Sequence, residues 1–117
     1  MRAIRIMADV RVADIEAAKD FYMGFLGLGT EEFNLGWVAR FASAETGAIV
    51  QVLTGDATAA VDPDLSVHTS DVEAAYREAQ DRGYEIVHPL TVEPWGVHRF
   101  FVRAPDGTVL NIVGHSS

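Results

Sequence analysis

The chain carries nearly the same text twice, so any fold it adopts has to hold two similar units. Residues Gly36–Thr54, GWVARFASAETGAIVQVLT, lie without a gap against Gly96–Gly114, GVHRFFVRAPDGTVLNIVG. Gly36 meets Gly96, Phe41 meets Phe101, Ala44 meets Ala104 and Gly47 meets Gly107, while Gln51 and Asn111 share a column inside matching apolar runs. Upstream, Asp14-Ile15-Glu16-Ala17-Ala18 recurs as Asp71-Val72-Glu73-Ala74-Ala75. Asp71 stands 57 residues after Asp14 and Gly96 stands 60 after Gly36, so about three extra residues enter the second copy before its hairpin. Two copies of one supersecondary unit can build a binding site between them.

Each copy reads as strand, helix and three strands. Residues 3–12 alternate with the period of a half-buried strand, and Asp14 follows as a helix cap whose carboxylate can accept from the free N–H groups of the first turn. Ile15, Ala18, Phe21, Tyr22, Phe25 and Leu26 recur at helical spacing until Gly27. Strands are expected at 30–35, 37–43 and 48–54. Gly55–Asp64, GDATAAVDPD, is the linker. Beyond it come a strand at 65–69, a helix from Asp71 to Gly83, and strands at 84–88, 97–104 and 108–114, the last two joined by the tight turn Pro105-Asp106-Gly107. The predicted fold class is α+β: two tandem βαβββ modules forming a curled mixed sheet with a concave cleft. Residues 1–117 make one domain, with module 1 at 1–55 and module 2 at 64–117. One helix covers one face of a four-stranded sheet, and the other face is left for a ligand or a second subunit.

Composition narrows the function. A chain of 117 residues that is 49% hydrophobic can bury a core without staples. It has no cysteine, which removes disulfides, thiolate metal sites and a cysteine nucleophile and suits a reducing cytoplasm. No run is long enough to span a bilayer, so no membrane partner is expected. The formal net charge of −8 repels a phosphate backbone, which argues against nucleic acid and favours a cationic small molecule.

The paired modules carry a family likeness. The junction Val12-Ala13-Asp14-Ile15 followed by Phe21-Tyr22, and the hairpin Glu93-Pro94-Trp95-Gly96 … Phe101-Val102-Arg103-Ala104-Pro105-Asp106-Gly107 … Asn111, resemble the vicinal oxygen chelate superfamily. That group includes glyoxalase I, bleomycin resistance proteins, extradiol dioxygenases, methylmalonyl-CoA epimerase and fosfomycin resistance enzymes. The resemblance implies a ligand on the first and last strand of each module, usually His and Glu, in the metal-dependent members. Seven residues before the capping aspartates stand Met7 and Asp64, and four after the hairpin glycines stand Gln51 and Asn111. A thioether and two neutral amides suit neither a Zn²⁺ nor an Fe²⁺ site, so no metal and no cofactor are expected; placing Asp9 for Met7 would still give only a weak oxygen site.

The cleft is therefore read as built for stacking and hydrogen bonding. If Asn111 points inward, alternation and the family's column six before the hairpin glycine bring in Phe101 and Phe41, and parity adds Arg99 and Trp37. Trp95 lies at the mouth, and His68 falls in phase with Asp64 and Ser66. Arg99 is expected either to pair with Asp64 or Glu93, or to hold an anionic group of the ligand. His88, just before Pro89, is placed in a turn. The function expected by resemblance is that of the metal-free bleomycin-resistance-like branch, sequestering an aromatic or cationic compound in the cleft of a homodimer. The alternative is a glyoxalase-like lyase or isomerase, or a dioxygenase, with an atypical metal site. A metal-free acid or base at Asp64, Asp9 or His68 is a third reading.

Overall fold

The computed structural model describes residues 1–115, and the side chain of His115 falls outside the described set. Eight strands and two helices appear among the described residues, and the fold is α+β. The chain divides into two compact units, one of residues 7–57 and the other of residues 1–6 together with the chain from Thr58 onward.

In the first unit, β1 (Arg5–Arg11) runs parallel to β4 (Ile49–Leu53), and β2 (Thr30–Asn34), β3 (Val38–Ala42) and β4 form an antiparallel meander, giving the order β2-β3-β4-β1. The Asp14 carboxylate caps α1 (Ile15–Lys19) by accepting from the Glu16 N–H at 3.0 Å. The helix then widens into a π-helical segment, Asp20–Phe25, in which the Leu26 N–H reaches back to the Phe21 carbonyl. Ile15 and Leu28 pack on Ala39, Phe41, Val50 and Val52 of the sheet, with Tyr22 and Met23 beside them.

The second unit repeats the plan. β5 (Leu65–His68) runs parallel to β8 (Val109–His115), and β6 (Ile86–Val92), β7 (Val97–Arg103) and β8 are antiparallel, in the order β5-β8-β7-β6. The Ile4 N–H donates to the His68 carbonyl, so the first residues join this unit. Asp71 caps α2 (Val72–Asp81) through the Ala74 N–H, and the helix buries Val72, Ala75 and Ala79 against Val67, Phe100 and Ile112. A Cβ on Gly114 would stand 3.1 Å from Val72, so glycine is what lets the start of α2 close onto β8.

The two hairpins differ by one residue of register. Their turns span residues 43–48 and 104–108, each with a glycine at positive φ, Gly47 at 78° and Gly107 at 92°. The first turn is one residue longer, so Phe41 sits opposite Val50, whereas Phe101 sits opposite Asn111, the counterpart of Gln51. A slip of one residue moves a side chain to the other face of the sheet. Phe41 accordingly faces the helix, as Phe100 does in the second unit, and Arg40 stands where Phe101 stands. The expectation that Phe41 shares a face with Gln51 is corrected by this register.

Phe41 is fully buried in the helix-side core. Phe41→Ala is expected to cost about 3–5 kcal/mol, in the range for deleting a buried aromatic. Urea unfolding followed by circular dichroism measures this as a fall in midpoint.

Candidate functional site

The face of the second sheet turned away from α2 carries an unusual density of buried polar groups. Strand alternation and register put Ser66, Asn111, Phe101, Arg99 and Val113 on it, because Ser66 pairs with Asn111, Phe101 with Asn111, and Arg99 with Val113. His68 follows by its pairing with Val113. Asn111 is only 5% exposed. Its amide nitrogen donates to the Ser66 hydroxyl at 3.1 Å, and its Oδ1 is buried without a hydrogen-bond partner. Turning the amide over would leave the nitrogen unpaired instead, so either orientation leaves one orphan atom. An unmet buried acceptor of this kind costs about 1–3 kcal/mol.

Beside it lies a closed ion pair. Glu93 and Arg99 are both buried, and Arg99 Nε donates to Glu93 Oε2 at 2.6 Å. The same oxygen accepts from the Thr58 hydroxyl at 2.9 Å and lies 3.1 Å from His88 Nε2, while Arg99 Nη2 donates to Thr58 Oγ1 at 3.0 Å. Burial alone would push the Glu93 carboxyl up, but the hydrogen bonds from Arg99 and Thr58, the guanidinium charge and the contact with His88 together bring it below the usual carboxylate range. The guanidinium carbon stands 4.8 Å from the Phe101 ring centroid and 5.0 Å from that of Trp95, and the His88 ring is 5.1 Å from Phe101. Arg99 thus takes the cation–π position that an aromatic sandwich offers to a ligand.

In the first unit the corresponding face is a polar chain. Arg40 donates from Nε at 3.1 Å and from Nη2 at 2.9 Å to the carbonyl oxygen of Gln51, whose amide nitrogen donates to Asp9 Oδ1 at 2.9 Å. Arg40 also covers the Phe33 ring at 4.6 Å. The side chain of Gln51 is engaged at both ends.

The residues singled out from sequence are therefore distributed as follows. Asn111, Arg99, Phe101 and His68 share the second unit's face by register, and Trp95 joins them through Arg99. Phe101 is fully buried, which leaves half-buried Trp95 as the aromatic surface of that group. Asp64 is exposed and accepts the Val109 N–H at 2.9 Å, so it anchors the start of the β5–β8 pairing. Gln51 lies on its own face with Asp9 and Arg40, Phe41 is in the core, and alternation puts half-buried Trp37 in the column of Ala39 and Phe41. Of the two internal partners open to Arg99, Glu93 is the one in contact.

Three participants escaped the sequence: Thr58, Arg40 and His88. Thr58 lies in the linker, where no periodicity applies. Arg40 was hidden by the register difference. His88 is in β6 and not in a turn, and two register shifts, around His88 and before Thr91, break the alternation that would have announced its side. Pro89 is tolerated there because β6 is an edge strand of this unit's sheet.

The donor set does not fit the divalent metal that the family implies. Gln51 is occupied by a guanidinium, which repels a cation, and Asp64 by a backbone N–H. Asn111 offers one neutral oxygen beside a hydroxyl. Among the described residues no three His, Asp or Glu side chains gather around a common point.

The sequence profile of the Glyoxalase/Bleomycin resistance protein/Dioxygenase superfamily matches residues 4–112. No curated protein matches the chain. Among solved structures it is similar to an NAD-dependent benzaldehyde dehydrogenase from Legionella pneumophila, at 19% identity over 96% of this chain and 100% of the other, with a TM-score of 0.78. It is also similar to methylmalonyl-CoA epimerase from Mycobacterium tuberculosis, at 20% identity over 98% and 90% of the two chains and a TM-score of 0.71. A glyoxalase/bleomycin resistance protein/dioxygenase superfamily member from Vibrio splendidus 12B01 gives 16% identity over 93% and 97%, with a TM-score of 0.66. Likeness at these identities concerns the fold.

Because the Glu93 carboxyl is depressed in the folded state, its contribution is complete above the unfolded value near 4.5 and is lost as pH falls through the lower folded value. Calorimetry from pH 7 to pH 3 is expected to show a higher melting temperature for the wild type than for Glu93→Gln at neutral pH, and a gap that closes on acidification.

Proposed function

We propose, for a chain that belongs to the Glyoxalase/Bleomycin resistance protein/Dioxygenase superfamily, that it captures a small aromatic or cationic molecule without a catalytic divalent metal. The observation that carries this reading is the orphan Oδ1 of Asn111. A buried amide oxygen with no donor is a pre-paid acceptor: when the side chains over it part to admit a ligand, an N–H or O–H placed on it removes a standing penalty instead of exchanging one hydrogen bond for another. Trp95, half-buried and next to the guanidinium of Arg99, supplies an apolar edge for a planar ring. Arg99 has its charge met by Glu93, so it gives little to an anionic ligand, and the net charge of −8 favours a cation. Sequestration, as in the resistance proteins of this superfamily, asks only for such a site.

The chain is read further as a homodimer acting in the cytoplasm. The π-helical segment supports the first part, since Phe25 is 77% exposed and stacks at 5.4 Å on Phe21, itself half-exposed, with Leu26 beside them. No helix among the described residues is long and apolar enough to cross a membrane. Sedimentation equilibrium tests the dimer.

Titration with a panel of aromatic amines and amidines, followed by tryptophan fluorescence, is expected to give saturable quenching that survives EDTA. Asn111→Leu is expected to weaken the best binder roughly tenfold, the value of one buried hydrogen bond, and Trp95→Ala to remove most of the quenching. Stoichiometric Zn, Mn, Ni or Fe that EDTA strips from the purified protein together with binding would overturn the reading.

A further inference from the structure

His88 is a titratable side chain that ligand capture does not use. Its Nε2 lies 3.1 Å from Glu93 Oε2, and its ring makes no other hydrogen bond among the described residues. Glu93 is held in place from two further directions, by Arg99 Nε at 2.6 Å and the Thr58 hydroxyl at 2.9 Å, and the guanidinium keeps it ionised. An ionised carboxylate only accepts hydrogen bonds, so in the neutral ring the proton must sit on Nε2 and the lone pair on Nδ1. The side chain is 13% exposed, and Nδ1 is not among the sealed, unpaired atoms of the described residues. The Phe101 ring lies 5.1 Å from the imidazole and gives it one apolar neighbour. A carboxylate that fixes an imidazole through one nitrogen and leaves the other bare is the arrangement that proton-transfer chemistry requires.

We propose that His88 is a general base, positioned by Glu93, for a planar unsaturated substrate carrying an acidic C–H. In the step, Nδ1 takes the proton and the C–H electron pair enters the substrate's π system, expelling a leaving group where one is attached. The imidazolium that forms is stabilised by Glu93 across the existing contact and returns its proton to product or water. No oxidant, metal or cofactor enters the balance. The activity stands apart from ligand capture, since a protein can sequester one compound and turn over another or none.

The probe is 5-nitrobenzisoxazole. Removal of its ring C–H turns that electron pair into the second π bond of a nitrile and breaks the N–O bond, releasing a coloured cyanonitrophenolate. Turnover per His88 is expected to exceed that of free imidazole at equal concentration and pH by about 100-fold, the lower end of positioned acid–base catalysis. His88→Gln is expected to return the rate to that of free imidazole or below. Glu93→Gln is expected to lower kcat about tenfold with little change in KM. Two-bond ¹⁵N–¹H spectra of histidine-labelled protein separate positioning from mere support. The wild type is expected to show His88 as the Nε2–H tautomer, and Glu93→Gln a mixture of tautomers. Should Glu93→Gln fail to fold by circular dichroism, Thr58→Val loosens the same carboxylate and is read by the same spectra. A wild-type rate no better than free imidazole, a rate untouched by His88→Gln, or an Nδ1–H tautomer would each overturn the proposal. Fluorescence titration with the amines reads ligand capture and the coloured phenolate reads proton transfer, so failure of the one and failure of the other are told apart.

Discussion

A β-strand gives each residue one face only, and the register between two strands decides which residues must share it. In this protein two hairpins of closely similar sequence differ by one residue of turn length, and that difference puts unlike chemistry on corresponding faces. With Asn111 opposite Phe101, one amide oxygen is buried and left without a donor. With Gln51 opposite Arg40, the equivalent amide is saturated by a guanidinium and a carboxylate. The two units share a frame, and one residue in a turn changes which side chains face each other across it.

The Glu93–Arg99 pair shows how an acidic chain keeps a cation in its interior. Desolvating either partner alone would cost several kcal/mol, and mutual attraction offsets this only when the remaining hydrogen-bonding capacity is met as well. Here one carboxylate oxygen takes up Arg99, Thr58 and His88 together, and the flat guanidinium lies near two aromatic rings that accept positive charge on their faces. Lysine could reproduce the charge but neither the geometry nor the stacking. Because Thr58 closes the ring of contacts, the linker is tied to the second unit's chemistry.

Membership of a superfamily whose members perform different reactions on one skeleton leaves the chemistry to the side chains. Amides, a hydroxyl, a buried ion pair and an oriented imidazole make hydrogen bonds and move protons; they do not make the hard, anionic cage that a divalent ion needs. The ligand-capture and proton-transfer readings draw on different members of that set, Asn111 with Trp95 for the one and His88 with Glu93 for the other.

The repeated βαβββ order, the capping aspartates, the glycine-ended helices and the tight final turn were all legible in the sequence, because each rests on short-range rules: periodicity, capping and turn conformation act within a few residues. The shared face of Arg99, Phe101 and Asn111 was legible too, since alternation along β7 and β8 is unbroken. What tertiary structure alone decided was the register wherever a turn or a bulge shifts it, and the contacts made from segments without a period. Phe41 went to the core because its hairpin closed one residue differently. His88 came to Glu93 because bulges reset the phase of β6, and Thr58 reached Arg99 from a segment with no period at all. Local patterns fix the form of each element, whereas register and long-range hydrogen bonds are settled only when the elements meet.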